Sequence, residues 1–93
     1  MRTIEATSQF TRDFKREAKV AHRDVLQNDF PILLKTLARD QPLPEKYRDH
    51  GLTGEWKDHR DCHVKPDLVL IYRKLASDAL QLVRLGSHSE LGL

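Results

Sequence analysis

The sequence predicts an α+β domain in which a two-helix N-terminal hairpin packs on a small, mainly antiparallel sheet. Three observations carry that expectation: helix-spaced apolar residues in the first half, strand-like apolar runs in the second, and a length of 93 residues. Domains usually take ~50–250 residues, so residues 1–93 are read as a single one. No repeat, low-complexity tract or linker divides them.

Thr3-Ile4-Glu5-Ala6 reads as a short strand, after which Thr7 and Ser8 offer hydroxyls to cap a helix. Phe10, Phe14, Ala18 and Ala21 follow at spacings of four, four and three, which is one helix face. Arg12, Lys15, Arg16 and Lys19 lie between them, and the ordinary reading of that basic stripe is a solvated face rather than an RNA contact. A second helix is expected from about Asp24 to Ala38, with Val25, Leu26, Phe30, Leu33, Leu34 and Leu37 as its apolar set. Those residues read as core in preference to a partner groove. Pro31 interrupts the pattern, since proline costs about 3 kcal/mol inside a helix and nothing at its first position. Either the helix restarts there, with Asp29 as cap, or it is kinked. Asp40-Gln41-Pro42-Leu43-Pro44 then ends helical structure.

The remaining elements read as strands. Trp56 to Val64 is polar and is expected as an exposed strand, joined through Lys65-Pro66 to a buried strand from Leu68 to Arg73. Leu80 to Leu85 is a second buried strand, and Ala76-Ser77-Asp78-Ala79 between the two suits a hairpin turn.

Composition excludes several functions. The longest apolar run, Leu68 to Tyr72, is far short of the ~20 residues a membrane span needs. Met1-Arg2-Thr3-Ile4-Glu5 has no apolar region of a secretory signal, and the lone cysteine, Cys62, allows no internal disulfide. No membrane association and a cytoplasmic location are therefore expected. Sixteen Lys/Arg against fourteen Asp/Glu leave a net charge of +2, too weak by itself to announce a nucleic-acid binder.

The five histidines are the more unusual feature. His50 precedes a Gly51 turn, His63 precedes the Lys65-Pro66 connection, and His88 follows the last strand. Loops at strand ends are where a rigid sheet displays reactive groups. A zinc site is not expected: His59 and His63, four apart on a strand, would stand ~13 Å from each other. Nucleophilic catalysis by Cys62 is not expected either, because a strand sends adjacent side chains to opposite faces. What remains is acid–base chemistry without a metal or cofactor. Cutting RNA this way needs a base for the ribose 2′-OH, an acid for the leaving 5′-oxygen and cations around the phosphorane. His50, His63 and His88, with Asp67 and Arg84, contain those parts.

Three motifs also carry a resemblance. Leu43-Pro44 through Tyr47 to Asp49-His50, Trp56-Lys57 through Arg60-Asp61, His63 and Pro66-Asp67, and Arg84-Leu85-Gly86-Ser87-His88 together resemble the YafQ-type toxins of the RelE superfamily. The resemblance spans nearly the whole chain. It implies a RelE-like domain and a type II toxin that enters the ribosomal A site and cuts messenger RNA without metal, leaving a 2′,3′-cyclic phosphate. It implies His50, His63, Asp67 and His88 as the catalytic set, with His50 and His88 as the proton-transfer pair and Asp67 acting directly or by orienting a neighbour. Arg84, Arg60 and Lys57 are the implied RNA and phosphate contacts. The implied partners are the ribosome, its bound mRNA and a DinJ-like antitoxin, with operator DNA reached only through the antitoxin complex. One departure stands out: relatives commonly carry a base-stacking aromatic near the end, and here none follows Tyr72. An attenuated or non-catalytic module that acts through antitoxin binding and promoter autorepression is the alternative. Residues 47–93 hold seven Lys/Arg and seven Asp/Glu, so engagement of RNA is expected to depend on pH and on the ribosome.

Overall fold

A computed structural model describes residues 1–20 and 22–93; Ala21, the last of the helix-spaced residues named above, lies outside them. The strands are β1 (Thr3–Ala6), β2 (His50–Gly51), β3 (Arg60–Lys65), β4 (Leu68–Lys74) and β5 (Ala79–Gly86), and the helices are α1 (Ser8–Lys19), α2 (Arg23–Ala38) and the one-turn α3 (His88–Leu91). They form one sheet in the order β1-β5-β4-β3-β2. β1 runs parallel to β5, with Thr3 opposite Ala79, and every other neighbouring pair is antiparallel. The α+β expectation therefore holds.

Thr7 caps α1 as its hydroxyl position allows: Oγ1 accepts from the Phe10 amide at 3.0 Å and donates to the Val83 carbonyl at 2.8 Å. α2 contains Pro31 and runs unbroken from Arg23 to Ala38, so the helix does not restart there and Asp29 is not its cap. Buried residues on both sides of the proline, Val25 and Leu26 before it and Leu33 and Leu37 after, share one face on the sheet. Burying such side chains is worth ~1.5–3 kcal/mol each, which offsets the lost helical bond.

The segment before β3 differs from expectation. A single 3-10 turn spans Gly54–Trp56, and the strand starts only at Arg60. Gly54 at φ 66° and Asp58 at φ 67° adopt left-handed backbone that no strand accommodates. The His59 amide closes the turn on the Trp56 carbonyl at 3.0 Å.

The core is lopsided, and that positions the site. Phe10, Val25, Leu26, Phe30, Leu33 and Leu37 of the helices pack on Cys62, Leu68, Leu70, Tyr72, Leu80, Leu82 and Leu85 of the sheet. Phe30, Leu33 and Leu37 are buried, as the core reading of the second helix requires. The other sheet face carries only a small apolar cluster, Val69, Ile71 and Leu91, flanked by Leu52, Trp56 and Val83. β1 pairs with β5 only as far as Leu82. Beyond that point α1 side chains complete the strand edge: Asp13 Oδ2 accepts the Leu85 amide at 3.0 Å, and Arg16 Nη2 donates to the Leu85 carbonyl at 3.2 Å.

Candidate active site

Strand alternation and register bring the site together. Cys62 faces the helices, so Asp61 and His63 on either side of it project to the opposite face. Across the sheet His50 pairs with Asp61, Asp61 with Ile71, and Ile71 with Arg84. The adjacent row runs from His63 through Val69 to Gly86. Paired residues share a face, so two rows of β2–β5 place polar groups on the side the helices leave free.

His88 joins them from α3. Ser87 caps that turn, its Oγ accepting the Glu90 amide at 3.2 Å, and the His88 ring then stands edge-on to His63 with centroids 4.7 Å apart. Gly86 leaves room here for a neighbouring side chain. A Cβ at that position would meet Glu90 Oε1 at 2.2 Å, and the Glu90 carboxylate instead folds over the glycine to reach Arg16 Nη1 at 2.7 Å.

The histidines differ in environment. His50 Nδ1 lies 2.7 Å from the Arg48 carbonyl, which can only accept; Nδ1 is therefore assigned the proton, and Nε2 holds the lone pair. Arg48 presents that carbonyl from a left-handed conformation, φ 50°. His63 is half-buried, and burial followed by the nearby His88 pushes its pKa below the ordinary histidine value, favouring the neutral ring.

Sequence reasoning missed one residue of this group, Asp61. It is 1% exposed, its Oδ1 lies 3.1 Å from His50 Nδ1, and that buried oxygen accepts no hydrogen bond among the described residues. Burial raises its pKa above the usual carboxylate value, opposed by the positive ends of His50, His63 and His88. The signal was available: Asp61 and His63, two apart in a strand, share a face.

The other expected site residues lie at the margins of this group, most of them held by partners of their own. Asp67 sits in the turn after β3 and pairs with His22 Nε2 at 3.3 Å. Arg84 Nε is held by Asp13 Oδ2 at 2.8 Å, and Arg60 Nε by Asp49 Oδ1 at 3.2 Å. Lys57 is exposed beside the 3-10 turn. His59 is edge-on to Trp56, centroids 5.4 Å apart, with Nδ1 3.0 Å from the Lys57 carbonyl. Cys62 is fully buried on the helix face, and burial pushes its thiol pKa far up, which leaves it inert. Among the described residues no three His, Cys, Asp or Glu side chains converge as ligands for one metal ion. No helix of the described residues is long and apolar enough to cross a membrane.

Known proteins share this plan. Residues 2–92 match the family described as "Bacterial toxin of type II toxin-antitoxin system, YafQ". The mRNA interferase toxin YafQ of Escherichia coli K12 is 42% identical over 91 residues, covering 97% of this chain and 95% of that one. Among solved structures, a metal-bound toxin from Helicobacter pylori has a TM-score of 0.83 at 45% identity, covering 98% of this chain and 99% of that one. The E. coli DinJ–YafQ complex has a TM-score of 0.79 at 38% identity, covering 98% of each chain.

Proposed function

Because this chain belongs to the YafQ family of type II toxin–antitoxin toxins, we propose that it is an mRNA interferase, an endoribonuclease that cuts messenger RNA in the ribosomal A site. The observation that carries the reading is one sheet face holding His50, Asp61 and His63, with His88 against His63. His50, with its lone pair on Nε2, takes the proton of the ribose 2′-OH. The freed oxygen attacks the adjoining phosphate, and His88 protonates the departing 5′-oxygen, leaving a 2′,3′-cyclic phosphate. Neutral His63 holds His88 by its ring edge, and Asp61 stabilises the imidazolium that forms beside it. Asp67 acts from the neighbouring turn, where His22 orients it. Arg84 meets the phosphate once it is released from Asp13, and Arg60 and Lys57 add charge at the rim.

The ribosome supplies substrate placement, since the reacting groups His50, Asp61, His63 and His88 include no fixed cation. A DinJ-like antitoxin silences the enzyme, operator DNA is reached through that complex, and the toxin works in the cytoplasm. The chemistry as read needs no metal, whereas a structural relative from H. pylori is a metal-bound toxin. Cleavage of ribosome-bound mRNA mapped by primer extension tests both points. Wild type is expected to cut in EDTA, and His50→Ala or His88→Ala to lose about 10²–10⁴-fold. Equal cutting by the variants overturns the catalytic assignment. Loss of wild-type cutting in EDTA, restored by copper or zinc, overturns its metal independence.

A further inference from the structure

Arg84 and Arg60 are held by carboxylates, so the positive charge free to meet RNA must come from other residues. A cleft of about 600 Å³ lies on the far side of His63, lined by Lys46, Tyr47, Arg48, His63 and Lys65 with Asp29 at its margin. Three fixed cations thus face one carboxylate. Among the described residues none of Lys46, Arg48 and Lys65 is in an ion pair, and all three are exposed. The Lys46 ammonium stands 5.0 Å from the centroid of the half-buried Tyr47 ring, and the Arg48 charge is near enough to His63 to disfavour its protonation. Arg48 closes the 3-10 turn Glu45–Tyr47 as its left-handed cap, φ 50°, its amide donating to the Glu45 carbonyl. Its carbonyl fixes His50 while its guanidinium borders the cleft, so one residue joins the two regions.

We propose that this cleft binds single-stranded RNA beside the bond that is cut, Lys46, Arg48 and Lys65 meeting the adjoining phosphates and Tyr47 stacking on a base. A cationic groove with an aromatic platform is the general solution for single strands, and the size suits one nucleotide. The proposal rests on the endoribonuclease reading for its substrate class, and its test is independent of cleavage.

The probe is a short 2′-O-methyl RNA, which offers no hydroxyl to attack. Its binding to the purified protein is followed by fluorescence anisotropy across a salt series. Lys46→Ala/Lys65→Ala should bind at least fivefold more weakly at low salt and lower the salt slope by about 1.4, from ~0.7 per phosphate contact. Both residues are exposed, so Tm should not move, and Lys35→Ala, an exposed lysine on α2, should bind as wild type does. Asp29→Asn should tighten binding. An unchanged slope and affinity in the double variant overturn the cleft. A His50→Ala protein that binds the probe normally yet still cuts ribosome-bound mRNA overturns the catalytic reading and leaves the cleft standing.

Discussion

Asp61 is the residue whose position the fold makes plain and the linear sequence hides. A carboxylate 1% exposed, with one oxygen accepting nothing, is an expensive feature to keep. Placed 3.1 Å from His50 Nδ1, it would favour the protonated ring that the proposed transfer from the 2′-OH requires. Asp61→Asn keeps the shape and removes the charge. Cleavage is expected to fall about tenfold or more, while the folded state gains about 1 kcal/mol, roughly 4–8 °C in Tm. The gain should shrink towards pH 4. Asp61 holds its proton more tightly folded than its ordinary 3.8, so the folded chain binds the extra proton and loses stability as pH rises through that window. Thermal melts and single-turnover cleavage at matched pH check the two halves, and a variant both less stable and fully active contradicts them.

At the scale of elements, much was legible before any coordinates. The Phe10–Phe14–Ala18 spacing marks α1, the Leu68 and Leu80 runs mark β4 and β5, and Thr7 marks a cap, because each is a local pattern. The misses are non-local or lie in turns. Nothing near Asp13 in sequence says that it closes the edge of β5 and holds Arg84, partners some seventy positions away. The start of β3 was misplaced because left-handed Gly54 and Asp58 outweigh the strand-like composition around Trp56. Pro31 alone does not decide whether α2 continues, because what its neighbours bury decides it. The Arg-x-Gly-Ser-His stretch now has a mechanical explanation: Arg84 tied to Asp13, Gly86 making room, Ser87 capping α3 and His88 meeting His63. Gly86→Ala should therefore turn the Glu90 carboxylate away from Arg16 at a cost below about 1 kcal/mol, with little effect on cleavage. Because only the end of a flexible side chain blocks the new methyl, Glu90→Ala alone should already lose the Arg16 contact, and Gly86→Ala should add almost nothing in that background. A double-mutant cycle read by urea denaturation and cleavage checks this, and strict additivity would contradict it.

The whole molecule divides its labour between two sheet faces, one for cohesion and one for chemistry. Formal charge in residues 47–93 cancels, seven against seven, yet folding gathers Arg48 and Lys65 of this half with Lys46 of the other at one cleft and neutralises Arg60 and Arg84 on carboxylates. Net charge therefore understates what the surface can bind. The half-buried His63 sets a pH response for the fold as a unit. Its pKa lies below the ordinary 6.5, so the unfolded chain takes up more protons between that folded value and 6.5, and stability falls on acidification through this window. Wild type should lose more urea stability between pH 7 and pH 5.5 than His63→Gln; parallel losses would contradict the assignment. The parallel pairing of β1 with β5 has a consequence in time. Thr3 finds its partner only when Ala79 exists, and His88 lies beyond both. Non-local pairing closes late and slowly. During translation at ~5–20 residues per second, the site stays unassembled until nearly all of the chain has been made. On the proposed reading, the order in which the strands emerge would spare the ribosome that synthesises this protein and leave time for an antitoxin to arrive.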